Sequence, residues 1–216
     1  MSRRLPIYLL LDVSGSMAGT AINSVSQGIQ MFHAALQNDP RALDTAFVSV
    51  ITFGSTATQV IPLTHCSNFT PPELVAAGGT AMGEAMLLAE ERIRVEVVRA
   101  STEDQKADWR PIVFIMTDGK PSDTAAVQSA IDSIKQRRYA VFIACAAGSE
   151  ASEAIFQGWA DTVIRLSDTS EASIGAFFKW VTQSVRTASA SAGAVGATDS
   201  VRLPPPPPGT GVVIVP

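Results

Sequence analysis

The chain has 216 residues, 46% of them hydrophobic in type, and its 16 Lys+Arg against 20 Asp+Glu give a net charge of −4. At about 100 to 200 residues per domain, that length predicts one domain with a core of its own, with a tail at most. Charged residues make up only 17% and form no basic cluster, which argues against nucleic acid as a partner.

The apolar run before Asp12 spans only residues 7–11, too short for a signal peptide or a membrane span, so a cytoplasmic protein with no membrane partner is expected. Two cysteines, Cys66 and Cys145, are too few for a disulfide framework and lack zinc-site spacing; both are expected as free thiols.

In chain order, residues 5–11 form a continuous aliphatic run, the mark of a strand covered on both faces. Ile22, Val25, Ile29, Phe32 and Leu36 then fall on one helical stripe. Residues 47–53 (FVSVITF) and 58–63 (TQVIPL), parted by a four-residue turn, predict a hairpin. Met82, Ala85, Met86, Ala89 and Ile93 make a second stripe, followed by a buried strand at 112–116. Val127, Ala130, Ile131 and Ile134 make a third stripe, and buried strands follow at 140–146 and 162–166. Ile174, Phe177, Phe178, Val181 and Val185 complete the series with a fourth stripe.

Six strands alternating with amphipathic helices predict an α/β fold with a mostly parallel central sheet in the order 3-2-1-4-5-6. The second hairpin strand runs antiparallel at an edge, and helices cover both faces.

From Thr187 the composition turns to Ala, Ser and Gly and then to the prolines at 204–208. This divides the chain into a globular unit at 1–186 and a C-terminal tail at 187–216. The prolines suit a polyproline II rod, either a spacer or a ligand for an aromatic groove. Residues 212–215 (VVIV) would be an aggregation hazard if left loose and are expected to dock as an added strand, on this domain or on a partner.

Chemistry gathers at strand ends. Asp12-Val13-Ser14-Gly15-Ser16, a D-x-S-x-S string, stands where the chain leaves the first strand. Thr117-Asp118-Gly119 ends the strand at 112–116, and Gly78-Gly79-Thr80 brings a hydroxyl to a helix start. In a doubly wound sheet the first strand and the 112–116 strand are neighbours at the topological switch point, where such sheets bind ligands. Asp12, Ser14, Ser16, Thr80 and Asp118 would form an all-oxygen set suited to a hard cation such as Mg²⁺, Mn²⁺ or Ca²⁺. Asp and Ser are also ordinary turn and cap residues, and Thr80 alone would serve as a helix cap. The joint placement at three strand ends is what carries the metal reading.

With these strings in place, the chain resembles the von Willebrand factor A (vWA) domains, whose metal-ion-dependent adhesion site (MIDAS) is D-x-S-x-S followed by a later Thr and a later Asp. Within that family it looks like the bacterial tellurium-resistance TerY group, through RRLPIYLLLDVSGSM, SVITFGSTATQVIPL, DWRPIVFIMTDGKPSD, ACAAG, FFKWV and LPPPPP. The resemblance implies a Rossmann-like three-layer fold. It implies direct coordination by Ser14, Ser16 and Thr80, action of Asp12 and Asp118 through bound waters, and one position open to an acidic side chain of a partner. Mg²⁺ fits such an open octahedral site best. The resemblance further implies a non-catalytic interaction module working with a protein Ser/Thr kinase and a PP2C-type phosphatase in stress response. Met17, Lys120 and Pro121 are the expected rim residues.

Two rival readings remain. A metal-dependent phosphohydrolase would use Asp12 or Ser14, but position 14 lacks the second Asp of haloacid-dehalogenase-type phosphatases. No His lies near either strand end, and no nucleotide loop or nucleophile elbow is present. A structural scaffold would instead bind through its Pro-rich tail. His65-Cys66 is half a metal pair at best, and His33 borders an apolar stripe.

Overall fold

A computed structural model describes residues 3–100, 102, 106–149, 151–192, 204–205 and 212–215. Strand β1 (Leu5–Asp12) is followed by helices α1 (Thr20–Gln37) and α2 (Pro40–Thr45) and by the hairpin β2 (Ala46–Phe53) and β3 (Ala57–His65). Then come α3 (Met82–Glu96), β4 (Ile112–Thr117), α4 (Thr124–Arg137), β5 (Val141–Ala147), β6 (Thr162–Leu166), α5 (Glu171–Ala192) and β7 (Val212–Val215). The seven strands form one sheet in the order β3-β2-β1-β4-β5-β6-β7. Pairing is parallel from β2 to β6, and both edge strands, β3 and β7, run antiparallel. The expected order is extended by one strand, because Val212–Val215 pairs with β6 of its own domain.

Unbroken aliphatic runs make sense because both faces of the central strands are covered. Leu5, Ile7, Leu9 and Leu11 pack with Ile22, Ile29, Phe32, Phe177 and Val181 of α1 and α5. Tyr8 and Leu10 point the other way, into a core with Met82, Met86, Ile93, Val127 and Ile134 of α3 and α4. Successive residues of a strand face opposite sides, so only a strand apolar at every position can fill two cores.

Helix α2, unannounced by any stripe, is short and starts on local chemistry: the Asp39 carboxylate accepts from the N–H groups of Arg41 and Ala42, and Pro40 holds the first helical position. Helix α5 continues through Arg186 to Ala192. The indole N–H of Trp180 on α5 donates to the Pro204 carbonyl at 2.9 Å, tying the later chain back to the helix. Residues 206–208 of the proline run and the Ala/Ser/Gly stretch 193–203 lie outside the described residues.

Because β1 pairs in parallel with both β2 and β4, the connections leave it in opposite directions and open a crevice at the carboxyl ends of β1 and β4. Asp12 and Asp118 are delivered to this crevice.

Candidate metal centre

Asp12 closes β1 with its side chain buried, only 1% of the residue being exposed. Its Oδ1 accepts the Ser14 N–H at 2.7 Å, and its Oδ2 accepts the hydroxyl of Thr117, the last residue of β4. A carboxylate at a strand end is thus fixed by the turn that follows it and by the neighbouring strand. The D-x-S-x-S turn then tightens into a single 3-10 turn, Gly15–Met17. Ser14 Oγ and Ser16 Oγ lie 3.0 Å apart, and Ser16 Oγ donates to Asp118 Oδ1 at 2.7 Å.

The third segment arrives along an irregular path between β3 and α3. Phe69 and Leu74 anchor it in the core. Its backbone then bonds to the loops after β1, β2 and β4: Ala77 N–H to Val13 O at 2.7 Å, Gly15 N–H to Gly78 O at 3.0 Å, Ala81 N–H to Gly54 O at 2.8 Å and Ser122 N–H to Thr80 O at 2.9 Å. Gly78 has φ +81°, and a Cβ there would fall 2.1 Å from Ser55 Oγ, so the turn is doubly closed to other residues.

Thr80 does not cap α3, contrary to its reading as a cap. The N-cap position belongs to Ala81, which offers no side-chain bond. The free N–H groups of Gly83 and Glu84 are taken instead by the Asp123 carboxylate at 3.1 and 2.8 Å, from the residue preceding α4. Helices α3 and α4 approach so closely there that a Cβ on Gly83 would meet Val127 N at 2.2 Å. The Asp123 clamp thereby locks the Thr80 loop to the Asp118 loop.

Thr80 is buried, and among the described residues its Oγ1 has no hydrogen-bond partner. A Cβ placed on Gly119 would lie 3.8 Å from Thr80 Oγ1 and 3.9 Å from Ser16 Oγ, so both hydroxyls border the same turn after Asp118. All five residues singled out in the sequence therefore meet at one crevice. Burial pushes the Asp12 carboxyl above its usual range and the charge of Asp118 pushes it the same way, while hydrogen bonds from Ser14 and Thr117 pull it down. Two carboxylates under mutual repulsion, three hydroxyls and no nitrogen or sulfur donor fit a hard divalent cation. Among the described residues no cluster of three or more His, Cys, Asp or Glu exists, so the hydroxyls are essential to any such site.

The rim is corrected in one respect. Met17 is fully buried in the α1/α5 core, because the 3-10 turn directs it inward, and it cannot touch a partner. Lys120 is exposed and Pro121 partly so. A polar groove that sequence reasoning missed lies beside Asp118, about 220 Å³ in volume and lined by Gly148, Ser149, Ser167, Asp168 and Thr169 at the ends of β5 and β6. Its signal was the Gly-Ser and Ser-Asp-Thr strings directly after two predicted strands.

Both histidines are distant from the crevice. His65 packs on Phe47 at the start of β2, and His33 bonds Gln37, which also donates to the Cys66 carbonyl. Both cysteines are free and buried.

The sequence profile of the von Willebrand factor type A domain matches residues 7–162. Among solved structures the chain is similar to a von Willebrand factor type A protein from Catenulispora acidiphila, with TM-score 0.59 and 19% identity over 86% of this chain and 43% of that one. It is similar to proximal thread matrix protein 1 from the mussel byssus with a zinc-occupied MIDAS motif, with TM-score 0.55 and 15% identity over 84% of this chain and 48% of that one. Manganese-loaded TRAP protein from Plasmodium vivax gives TM-score 0.50 and 21% identity over 71% and 61%. Such identities establish a shared fold. The chain spans just under half the length of the first solved chains that it matches. A search of curated proteins finds no match.

Proposed function

The chain belongs to the von Willebrand factor type A domain family, and from that premise we propose that it is a non-catalytic, divalent-metal-dependent protein interaction module. The observation that carries this reading is the convergence of Asp12, Ser14, Ser16, Thr80 and Asp118 on one crevice, where among the described residues the Thr80 hydroxyl has no hydrogen-bond partner. Support from relatives is that the mussel protein holds zinc in its MIDAS motif and the Plasmodium protein is manganese-loaded.

In this reading Ser14, Ser16 and Thr80 hold the cation, Mg²⁺ by preference, and Asp12 and Asp118 balance its charge. A bound divalent ion supplies a local positive focus to which a partner's Asp or Glu carboxylate can attach. The residues of the chain do the positioning. Thr117 and the Ser14 N–H orient Asp12, Asp123 holds the Thr80 loop in place, and Lys120 with the groove at Gly148 to Thr169 selects among partners. The net charge of −4 gives an acidic partner no general attraction, so recognition must be local.

The metal-binding unit is assigned to residues 1–186 and the rest to a tail whose strand β7 returns to the sheet. Among the described residues no helix is long and apolar enough to cross a membrane. The finer proposal, drawn from the resemblance of the motif strings, is a cytoplasmic TerY-type protein of a tellurium-resistance or stress-response system, with a Ser/Thr kinase and a PP2C-type phosphatase as partners. Both histidines of the chain stand elsewhere, so a catalytic reading would have to rest on the crevice carboxylates Asp12 and Asp118 alone.

The test is capture of partner proteins with and without chelator, alongside Asp12→Ala. Capture abolished by EDTA and by Asp12→Ala, but retained when the prolines at 205–208 are replaced by Gly and Ser with β7 kept, supports the metal face. Capture indifferent to both would transfer the function to the Pro-rich tail.

A further inference from the structure

A second cavity lies at the opposite edge of the sheet, where the chain enters β4, β5 and β6. It measures about 220 Å³ and is walled by Arg110, Ile134, Lys135, Arg138, Ala140 and the segment 158–161, which includes Trp159 and Asp161. Three cations thus face one space from two independent elements, the approach to β4 and the end of α4.

Their charges are largely unspent. Arg110 Nη2 donates to the Ala140 carbonyl, which fixes the guanidinium, and among the described residues its buried Nε has no hydrogen-bond partner. Lys135 makes no ion pair among the described residues. Arg138, held at φ +42° as the C-cap of α4, has only a 3.6 Å approach to Asp161 Oδ1. The single carboxylate is already occupied, since Asp161 Oδ2 accepts the Phe142 N–H at 2.8 Å. Against three cations stand one carboxylate and the roughly half negative charge at the carboxyl end of a helix, so the cavity remains positive on a protein of net negative charge.

Three cations with one occupied carboxylate between them leave side-chain donors from which an anion in the cavity can accept. Trp159, its ring locked by an indole bond to the Ile155 carbonyl, an edge contact with Phe142 and a tilted contact with Phe156, adds a rigid apolar wall. We propose that this cavity is an anion site that takes the phosphate group of a small phosphate monoester, with Arg110, Lys135 and Arg138 as its donors and Trp159 packing on the organic remainder. A phosphate has acceptor oxygens enough for all three cations, and guanidinium forks suit it better than an ammonium alone. The volume is below the ~300 to 1,000 Å³ of drug-sized pockets, which limits the organic part to a few atoms or one small ring. This site lies across the sheet from the metal crevice and does not depend on how that crevice is read.

The experiment is calorimetric titration of the full chain in EDTA with inorganic phosphate and with phenyl phosphate, with chloride at matched ionic strength as the blank. Trp159 is followed through its indole N–H resonance. Saturable binding of both phosphates is expected, tighter for phenyl phosphate, with the Trp159 signal shifting and chloride silent. Lys135→Gln combined with Arg138→Gln, both exposed positions whose loss spares the core, should weaken binding tenfold or more at an unchanged melting temperature. Arg110→Gln should weaken it further. Absence of saturable binding would overturn the proposal, as would phosphate binding that survives the double change or that is lost with Asp118→Ala.

Discussion

Ser16 and Asp118, 102 positions apart in the chain, are joined by a 2.7 Å hydrogen bond in which the serine hydroxyl donates to Oδ1. The bond spans the crevice between β1 and β4, so the two halves of the motif are already in register. A cation entering here meets donors that need little rearrangement, and preorganisation of this kind favours tight binding. Divalent metal should therefore raise the melting temperature. At a concentration a hundredfold above Kd the gain is about 2.7 kcal/mol, or roughly 5 to 10 °C for a chain of this size. Differential scanning calorimetry against EDTA reads it directly, and Ser16→Ala should reduce the shift.

Thr80 and Asp123 can be separated by experiment. Since Thr80 caps nothing, Thr80→Ala should leave the metal-free melt within about 0.5 kcal/mol of the parent while weakening metal binding. Asp123→Ala removes the acceptor for Gly83 and Glu84 and should cost about 1 kcal/mol even in EDTA. Urea melts of both variants with and without Mg²⁺ distinguish the two roles.

Much of this arrangement was legible in the sequence, and the reasons are physical. Strands covered on both faces must be apolar throughout, so 5–11, 112–116 and 140–146 announced themselves, and the D-x-S-x-S string after the first of them announced the crevice. What could not be read depended on partners distant in sequence. The Thr80 loop is held by backbone groups, which carry no residue signature, and the cap of α3 comes from Asp123, some forty residues later. Met17 follows the motif directly, yet one 3-10 turn sends it into the core. Helix α2 is too short for a stripe and starts on its Asp39 cap and on Pro40. The docking of 212–215 was expected, but the choice between this sheet and a partner's edge lay beyond local pattern.

The Arg4–Asp108 pair ties the segment before β4 to the start of β1. Asp108 has a fully buried side chain and accepts from Arg4 Nε at 2.8 Å, from Nη2 at 2.6 Å and from the Val98 N–H at 2.8 Å. Arg4→Ala leaves that carboxylate with one backbone donor and should cost about 3 kcal/mol. Combining Arg4→Met with Asp108→Asn should recover part of the loss, because the uncompensated charge is gone. Equilibrium unfolding of Arg4→Ala and of the combination checks it.

Acid sensitivity should involve Asp168, ahead of α5. Hydrogen bonds from the Ser170 and Ser173 hydroxyls and from the Ser170 N–H lower its pKa to about 2. A folded value depressed below the ordinary value of about 3.9 contributes stability that is complete above that value and fades as the pH falls toward 2. Asp168→Asn should thus melt lower than the parent near neutral pH, and the gap should narrow on acidification across that window. A gap that widens in acid would contradict the assignment.

The buried thiols should be silent in the native state. Burial pushes the thiols of both Cys66 and Cys145 upward, away from the reactive thiolate. A thiol reagent should label neither until the chain unfolds, and mass spectrometry without reductant should show no Cys66–Cys145 link, since Cys66 follows the edge strand β3 and Cys145 lies on β5, three strands further across the sheet from β2.

The most direct test of the central claim is titration of Mn²⁺ into EDTA-stripped full chain, followed by electron paramagnetic resonance of the free ion. One saturable site is predicted, displaced by Mg²⁺, weakened by Thr80→Ala and lost with Asp12→Ala or Asp118→Ala while the fold persists by circular dichroism. Failure to bind Mn²⁺, or binding that survives loss of both aspartates, would contradict it.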